Sequence, residues 1–246
     1  MKASVSPAVM FFAFLIGLSV TTGRAEDLIV QKDGVRREGQ ILAVKAGVIR
    51  LKVGPVETTV PMANVASVTM APPKEFTEAL SSWSKGNAAA TLPLIKGLVE
   101  KFPALPTKWA ERASALLGEA LLATGNVAGA EVAFANFQKA YPDAGTSADV
   151  GLARLAIEKK DFAAARAKLS PIVEAARKTE IAKSGDCAVF GQALYLMGRT
   201  QEAAGENSEA LESYLLAANI FREDEAVVSE SLQRAKSLKE KNVIVP

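Results

Sequence analysis

The hydrophobic and polar positions follow two different periods, and the change between them falls at Pro72-Pro73. Before it, short apolar runs separated by turn residues recur about every ten residues, which is typical of β-strands. After it, the chain is rich in Ala, and apolar positions recur at about the 3.6-residue period of amphipathic helices. The pattern predicts a mainly α protein with a small β domain at residues 26–71, a helical domain at residues 72–241 and a tail at residues 242–246.

Five short strands are predicted in the β domain. Asp33-Gly34 is a strong signal for a two-residue hairpin after the first strand. Closely spaced short strands favour a small barrel, because a barrel closes its own sheet edges. The strands are expected at Asp27–Lys32, Val35–Val44, Val48–Val53, Val56–Val60 and Val65–Met70.

Residues 1–25 have the three-part pattern of a secretory signal peptide. Lys2 precedes an apolar run at residues 9–20, which is short for a membrane span, and Gly23 and Ala25 are the small residues of a cleavage site. We therefore expect an exported, most simply periplasmic, protein with no stable membrane anchor after cleavage; the alternative is an uncleaved N-terminal anchor. The formal net charge of +2 belongs to Lys2 and Arg24, so the chain after residue 25 is neutral and carries no basic signal for nucleic acid.

The helical domain contains an internal repeat, clearest at residues 111–142. This unit has Leu117-Gly118 in the first helix, Gly125-Asn126 at the turn, then Ala130, Phe134 and Pro142. The arrangement resembles the tetratricopeptide repeat (TPR), whose period is about 34 residues. Small residues at Gly118 and Ala130 would let the paired helices approach closely, and Phe134 would fill the space against the next unit.

The same frame fits three further units, at residues 72–103, 146–177 and 191–222. Pro171 falls inside the second helix of the third unit and is expected to kink it, and residues 178–186 are extra to the repeat. Residues 223–241 form one more amphipathic helix, as expected of the cap that ends a repeat stack. The resemblance implies a TPR-like α-solenoid of four helix pairs and a C-terminal capping helix.

The β domain is weakly similar to Sm-like or SH3-like small barrels. The resemblance rests on a hydrophobic pattern from Leu28 to Val68 with Gly39, Ile41 and Val60-Pro61 within it. Sm-like proteins bind RNA, but residues 26–71 contain no Phe, Tyr or Trp to stack on bases. A docking or oligomerising role is therefore expected for this domain.

No catalytic constellation is recognisable in the sequence. The chain has no His and one Cys, so imidazole acid–base chemistry, His-based metal sites and thiolate zinc cages are excluded. Cys187 has no His partner and is expected to be a small apolar residue of the core. We expect no enzyme activity, no cofactor and no bound metal.

The TPR resemblance implies that the first helix of each pair lines an inner groove that binds a partner. By register, this predicts a site formed by Phe76, Trp83, Arg112, Leu116, Val150, Arg154, Tyr195 and Arg199. Three arginines in one groove would suit a peptide with acidic side chains or a free carboxylate. The alternative is that these arginines pair with Glu119 or Glu158.

The sequence therefore favours a non-catalytic protein–protein interaction scaffold of the cell envelope, with a protein or peptide partner. Two alternatives stay open. The chain could be a structural envelope subunit that self-assembles through the β domain and the last helix, which would make it a homo-oligomer. It could also be an accessory or ligand-binding module of an envelope enzyme complex, although the β domain lacks the aromatic platform that a carbohydrate-binding module needs.

Overall fold

The computed structural model describes residues 26–179 and 186–245. The predicted leader at residues 1–25 and most of the extra segment before the fourth repeat unit lie outside these ranges. The described chain is mainly helical and begins with an antiparallel five-stranded sheet, as predicted. The strands are β1 (Asp27–Gln31), β2 (Arg36–Lys45), β3 (Val48–Val53), β4 (Val56–Pro61) and β5 (Val65–Thr69).

The sheet has the strand order β4-β3-β2-β1-β5, and β2 belongs to both halves of it. The first half of β2 pairs with β1, and its second half, from Gln40 onward, pairs with β3. Gly39 stands at the change of partner, where a Cβ would collide with the backbone carbonyl of Lys52. No ladder joins β4 to β5 among the described residues, so the expected barrel is here a sheet with two unpaired edges.

The predicted hairpin after β1 forms at Asp33-Gly34. Gly34 has a positive φ of 84°, which a residue without Cβ adopts at no steric cost. The Asp33 carboxylate accepts a hydrogen bond from the Val35 amide at 3.0 Å and so fixes the turn. These contacts explain why the two residues predict the hairpin from sequence alone.

Nine α-helices follow in the described part of the chain, as four pairs and a final helix. Their bounds agree with the four predicted units and the predicted last helix to within a few residues. The helices are α1 (Lys74–Ser84), α2 (Ala88–Lys101), α3 (Lys108–Ala123), α4 (Val127–Ala140), α5 (Thr146–Glu158), α6 (Phe162–Lys178), α7 (Asp186–Ala203), α8 (Asn207–Asn219) and α9 (Glu225–Glu240).

The turn within each of the first three pairs uses one capping device. Asn87, Asn126 and Asp161 each precede a second helix, and each side chain accepts a hydrogen bond from the backbone amide three residues later, at 2.9–3.0 Å. This bond satisfies an amide that has no partner within the helix. The Gly-Asn pairs of the sequence therefore specify where one helix ends and the next begins.

Small residues let neighbouring helices approach around buried aromatic rings. A Cβ on Gly118 of α3 would lie 2.5 Å from the ring of Phe134 on α4, and a Cβ on Gly151 of α5 would also strike that ring. In the last pair, a Cβ on Gly198 would lie 2.5 Å from the ring of Tyr214. The predicted role of Gly118 is thus confirmed and extends to the next helix pair through Gly151.

Each helix packs against the next one along the chain, and the odd-numbered helices from α3 to α9 also contact one another in sequence order. The odd-numbered helices therefore form a layer of their own. Helix α6 continues through Pro171 as one helix, and the kink expected at this residue stays a prediction.

The sheet and the first helices share one hydrophobic core. Ile29 and Leu51 of the sheet belong to the same buried cluster as Phe76, Ile95 and Trp109 of α1, α2 and α3. The ring of Trp109 packs edge-on against Phe102 with centroids 5.4 Å apart. The proposed boundary at Pro72-Pro73 remains a prediction about the units of the chain, and the apolar packing continues across it.

Candidate functional site

The odd-numbered helices line two adjoining, partly open cavities of about 310 and 710 Å³. Their walls come from α1, α3, α5, α7 and α9 and the segment before α9, together with Gly86 in the turn after α1. Among the lining residues, only Ala88, the first residue of α2, belongs to an even-numbered helix. The two cavities have five lining residues in common: Trp83, Glu119, Gln192, Asp224 and Ala226. We call this pair of cavities the inner cavity.

Arg112 lies at the inner cavity, bound to Glu119 two turns later on α3. The Arg112 guanidinium donates to both carboxylate oxygens of Glu119, at 2.6 and 3.3 Å. Glu119 is 8% exposed. The charge of Glu119 raises the pKa of the Arg112 guanidinium, so the arginine stays cationic.

The positive charge of Arg154 also acts on Glu119; Arg154 belongs to α5 and lines the smaller cavity. Burial disfavours the charged form of the Glu119 carboxyl, but the charges of Arg112 and Arg154 and the hydrogen bonds from Arg112 outweigh it. The pKa of Glu119 therefore lies below its ordinary value. Two of the three predicted arginines thus act on one buried carboxylate.

Arg199 of α7, the third predicted arginine, faces Glu158 of α5. The Nη1 atom of Arg199 lies 3.5 Å from a carboxylate oxygen of Glu158, and both residues line the smaller cavity. The alternative drawn from the sequence, in which the arginines pair with Glu119 and Glu158, is the arrangement that the structure contains for Arg112 and Arg199.

The remaining predicted residues divide between cavity wall and core. Trp83 is half-buried and lines both cavities, and Tyr195 and Val150 each line one of them although they are buried. Phe76 and Leu116 are buried in the core shared with the sheet and line neither cavity. Their apolar side chains at core-facing positions of α1 and α3 stabilise packing and are not available to a partner.

Tyr195 connects the cavity wall to a partly buried polar network. Burial and the neighbouring Glu230 carboxylate raise the pKa of its hydroxyl. Its ring lies 6.1 Å from that of Tyr214, whose hydroxyl donates to Glu202 at 2.8 Å. Arg234 of α9 donates to the same carboxylate at 2.9 Å. This network ties α7, α8 and α9 together behind the cavity.

Helix α9 and the residues before it form a wall that the repeat register does not predict. Glu223, Asp224, Glu225 and Ala226 line the larger cavity, and Glu230 lines the smaller one. Asp224 caps α9 by accepting from the amides of Ala226 and Val227, and Gln192 of α7 donates to its other carboxylate oxygen at 2.9 Å. A capping aspartate before an apolar helical pattern is the sequence signal that marks this position.

In the ranges that the structure covers, no group of three or more Cys, Asp and Glu side chains is placed to hold a metal ion. Cys187 is half-buried and packs against the core of the later helices. Over the same ranges, every helix is too short or too polar to cross a bilayer.

No protein-family model matches the chain, and no curated protein matches it. Among solved structures, the chain is similar to one described as "MamA RS-1 ArsTM double mutant". The sequences are 15% identical, the match covers 70% of this chain and 98% of that chain, and the TM-score is 0.38. A TM-score this low does not establish a common fold.

Proposed function

We propose that this chain is a non-catalytic protein-interaction scaffold, built as a TPR-like solenoid, that binds a segment of a partner protein in its inner cavity. The observation that carries the proposal is that the first helix of every pair contributes to two adjoining cavities that have five lining residues in common. The side chains that line the cavities come from four helix pairs. Such a site suits a partner that enters as an extended segment more than a partner that presents a globular surface. The mixture of aromatic, aliphatic and charged walls suits a peptide.

The proposal places the protein in the cell envelope after export. Its support is the pattern at residues 1–25, with Lys2, the apolar run and the small residues Gly23 and Ala25. It includes no catalytic step and no cofactor, because the sequence has no His and no recognisable nucleophile with a base.

The test is a pair of Ala→Trp variants, one inside and one outside the inner cavity. Ala226 is exposed and lines both cavities, so the indole of Ala226→Trp obstructs the place where they meet with little effect on the core. Ala163→Trp, at an exposed position on α6 that lines neither cavity, is the matched control. After crosslinking in cells, we expect proteins captured by the wild type and by Ala163→Trp to be lost with Ala226→Trp. Equal capture by all three proteins would contradict the proposal.

A structural, self-assembling role is the second candidate. The sheet has unpaired edges at β4 and β5, and Val56 on β4 is 62% exposed. An open, partly apolar edge strand is a template for pairing with another chain. If this role holds, the mass of the purified protein in solution rises with concentration, and Val56→Lys abolishes the rise. A monomer at all concentrations excludes this candidate.

A further inference from the structure

The walls of the inner cavity differ in charge, and this difference specifies the chemistry of the bound segment. We infer that the segment carries a lysine or arginine side chain that enters the inner cavity between the Trp83 ring and the carboxylates of α9 and the residues before it. The inference deepens the proposed function and rests on it. It also reverses the preference for acidic peptides that the three arginines indicate in the sequence.

The lining residues carry more negative than positive charge. Six carboxylates line the two cavities, and three guanidiniums do. The carboxylates belong to Glu119, Glu158, Glu223, Asp224, Glu225 and Glu230, and the guanidiniums belong to Arg112, Arg154 and Arg199. An anionic ligand would therefore enter a region with a net charge of the same sign, which costs affinity.

Two of the three arginines, Arg112 and Arg199, are already engaged with carboxylates of the protein. Glu119 accepts two hydrogen bonds from Arg112 and is also stabilised by the charge of Arg154. Arg199 faces Glu158 at 3.5 Å. An acidic side chain would have to compete with these internal partners. The guanidiniums of Arg112 and Arg199 thus hold the wall together, whereas Arg154 forms no ion pair within the described residues.

Three carboxylates of the wall formed by α9 and the residue before Asp224 have no such cationic partner. Glu223, Glu225 and Glu230 are exposed, and no Lys or Arg of the described residues forms an ion pair with them. Arg222, their neighbour in sequence, lines neither cavity. A cationic group entering here would supply the missing charge and form charge-assisted hydrogen bonds.

Trp83 supplies an independent feature for the same ligand. Its half-buried indole lines both cavities, as do Asp224 and Ala226 at the start of α9. The face of an indole ring attracts cations, and the aliphatic stem of a Lys or Arg packs on it. The smaller cavity adds the apolar side chains of Leu122, Leu196 and Val227 for that stem. In a long cationic side chain, the aliphatic stem can pack on the apolar side chains while the charged end reaches the carboxylates.

The test compares Lys-containing, Gln-containing and Glu-containing versions of one short peptide with blocked ends, by fluorescence anisotropy on the full mature chain. We expect the Lys version to bind at least about tenfold more tightly than the Gln version, more weakly at high salt, and the Glu version to bind least. The triple variant Glu223→Gln/Glu225→Gln/Glu230→Gln is expected to weaken the Lys version by about tenfold. The exposed control Glu100→Gln/Glu174→Gln/Glu240→Gln, outside both cavities, should change it by less than about twofold.

The outcomes separate this inference from the proposed function. If a Gln or Glu version binds best and Ala226→Trp blocks it, the cavity binds peptides and the charge preference is wrong. If the control triple variant weakens the Lys version as much as the cavity variant, the attraction is a property of the whole surface and the inference fails. If no cavity-dependent binding of the Lys version occurs, the inference is overturned, while capture with Ala226→Trp still decides the proposed function.

Discussion

Arg112 and Glu119, two turns apart on α3, form a two-pronged ion pair with Nη1–Oε1 and Nη2–Oε2 distances of 2.6 and 3.3 Å. The arginine side chain is 37% exposed, whereas that of the glutamate is 9% exposed. The pair therefore places a buried negative charge at the point that both cavities share. Its integrity matters for stability and for the shape of the inner cavity.

Removal of Arg112, whose carboxylate partner is buried, should cost far more than removal of an arginine whose carboxylate partner is partly exposed. In Arg112→Met, the Glu119 carboxylate loses two hydrogen bonds and stays buried, so we expect a loss of about 3 kcal/mol in the free energy of unfolding. Arg177→Met is the control, because Arg177 and Glu212 form a similar pair whose side chains are 40% and 32% exposed. We expect Arg177→Met to lose less than about 1 kcal/mol in the free energy of unfolding. Urea denaturation of the two variants and the wild type measures both losses.

A double variant shows whether the cost comes from the buried charge. Arg112→Met/Glu119→Met replaces the pair with apolar side chains of similar length and should regain most of the stability lost in Arg112→Met. If the double variant is no more stable than the single one, the loss arises from packing of the Arg112 stem.

The stability of the protein should fall in acid partly through Glu119. Its folded pKa lies below the ordinary value of 4.5, so the folded state binds this proton less readily than the unfolded chain. The stabilisation is therefore fully present above 4.5 and is lost as the pH falls through the lowered folded pKa. Glu119→Gln lacks this contribution, so the difference in unfolding free energy between it and the wild type should shrink in that range.

Urea denaturation at a series of pH values measures the effect. Glu206→Gln is the control: the hydrogen bond from Arg166 also lowers the pKa of Glu206, but that pair is 40% and 38% exposed and screened by solvent. We expect a smaller pH effect there. A difference between wild type and Glu119→Gln that does not change with pH would show that Glu119 titrates alike in both states.

The close approach of α3 and α4 should not tolerate a methyl group at Gly118. A Cβ there would lie 2.5 Å from the ring of Phe134, which is 1% exposed. Gly118→Ala should therefore destabilise the protein by about 2 kcal/mol through overpacking. Gly97→Ala is the control, since a Cβ at this exposed position of α2 meets nothing within 4 Å. It should gain about 0.5 to 1 kcal/mol from helix propensity.

Thermal unfolding of the two variants and the wild type measures both effects. The unfolding temperature should fall with Gly118→Ala and rise with Gly97→Ala. If Gly118→Ala is as stable as the wild type, Phe134 moves aside and the small residue is not required. That result would weaken the reading of the Leu-Gly pair as a packing device.

The elements of this fold were predictable because their signals are local. Asp33-Gly34, Gly86-Asn87 and Gly125-Asn126 each bring their own turn conformation or cap, so the hairpin and the helix boundaries follow from a few adjacent residues. The open β4 and β5 edges were not predictable, since strand closure depends on contacts between distant segments. The same holds for the core that joins the sheet to Trp109.

The candidate site was predictable in part, for a physical reason. Helical register placed Trp83, Arg112, Arg154 and Arg199 on one face, and all four line the inner cavity. Register does not say which side chain a guanidinium contacts, and it left Phe76 and Leu116 in the groove although they are core residues. The repeat register also makes no prediction for α9. This helix follows the last repeat unit, so its sequence predicts a cap but not which surface of the helix faces the cavity.

Asp224 should hold the α9 wall of the inner cavity in place. Its carboxylate accepts from the amides of Ala226 and Val227 at 3.2 Å and from Gln192 at 2.9 Å. Asp224→Ala removes the cap and the link to α7, so we expect a loss of about 1 kcal/mol in the free energy of unfolding and faster hydrogen exchange in the first turns of α9.

The control is Asn126→Ala, which removes the cap of α4 away from the cavity. It should cost a similar amount of stability but leave hydrogen exchange in α9 unchanged. Because the inner cavity depends on this wall, binding of a Lys-containing peptide should weaken with Asp224→Ala and not with Asn126→Ala. Unchanged exchange in α9 with Asp224→Ala would show that packing alone positions the helix.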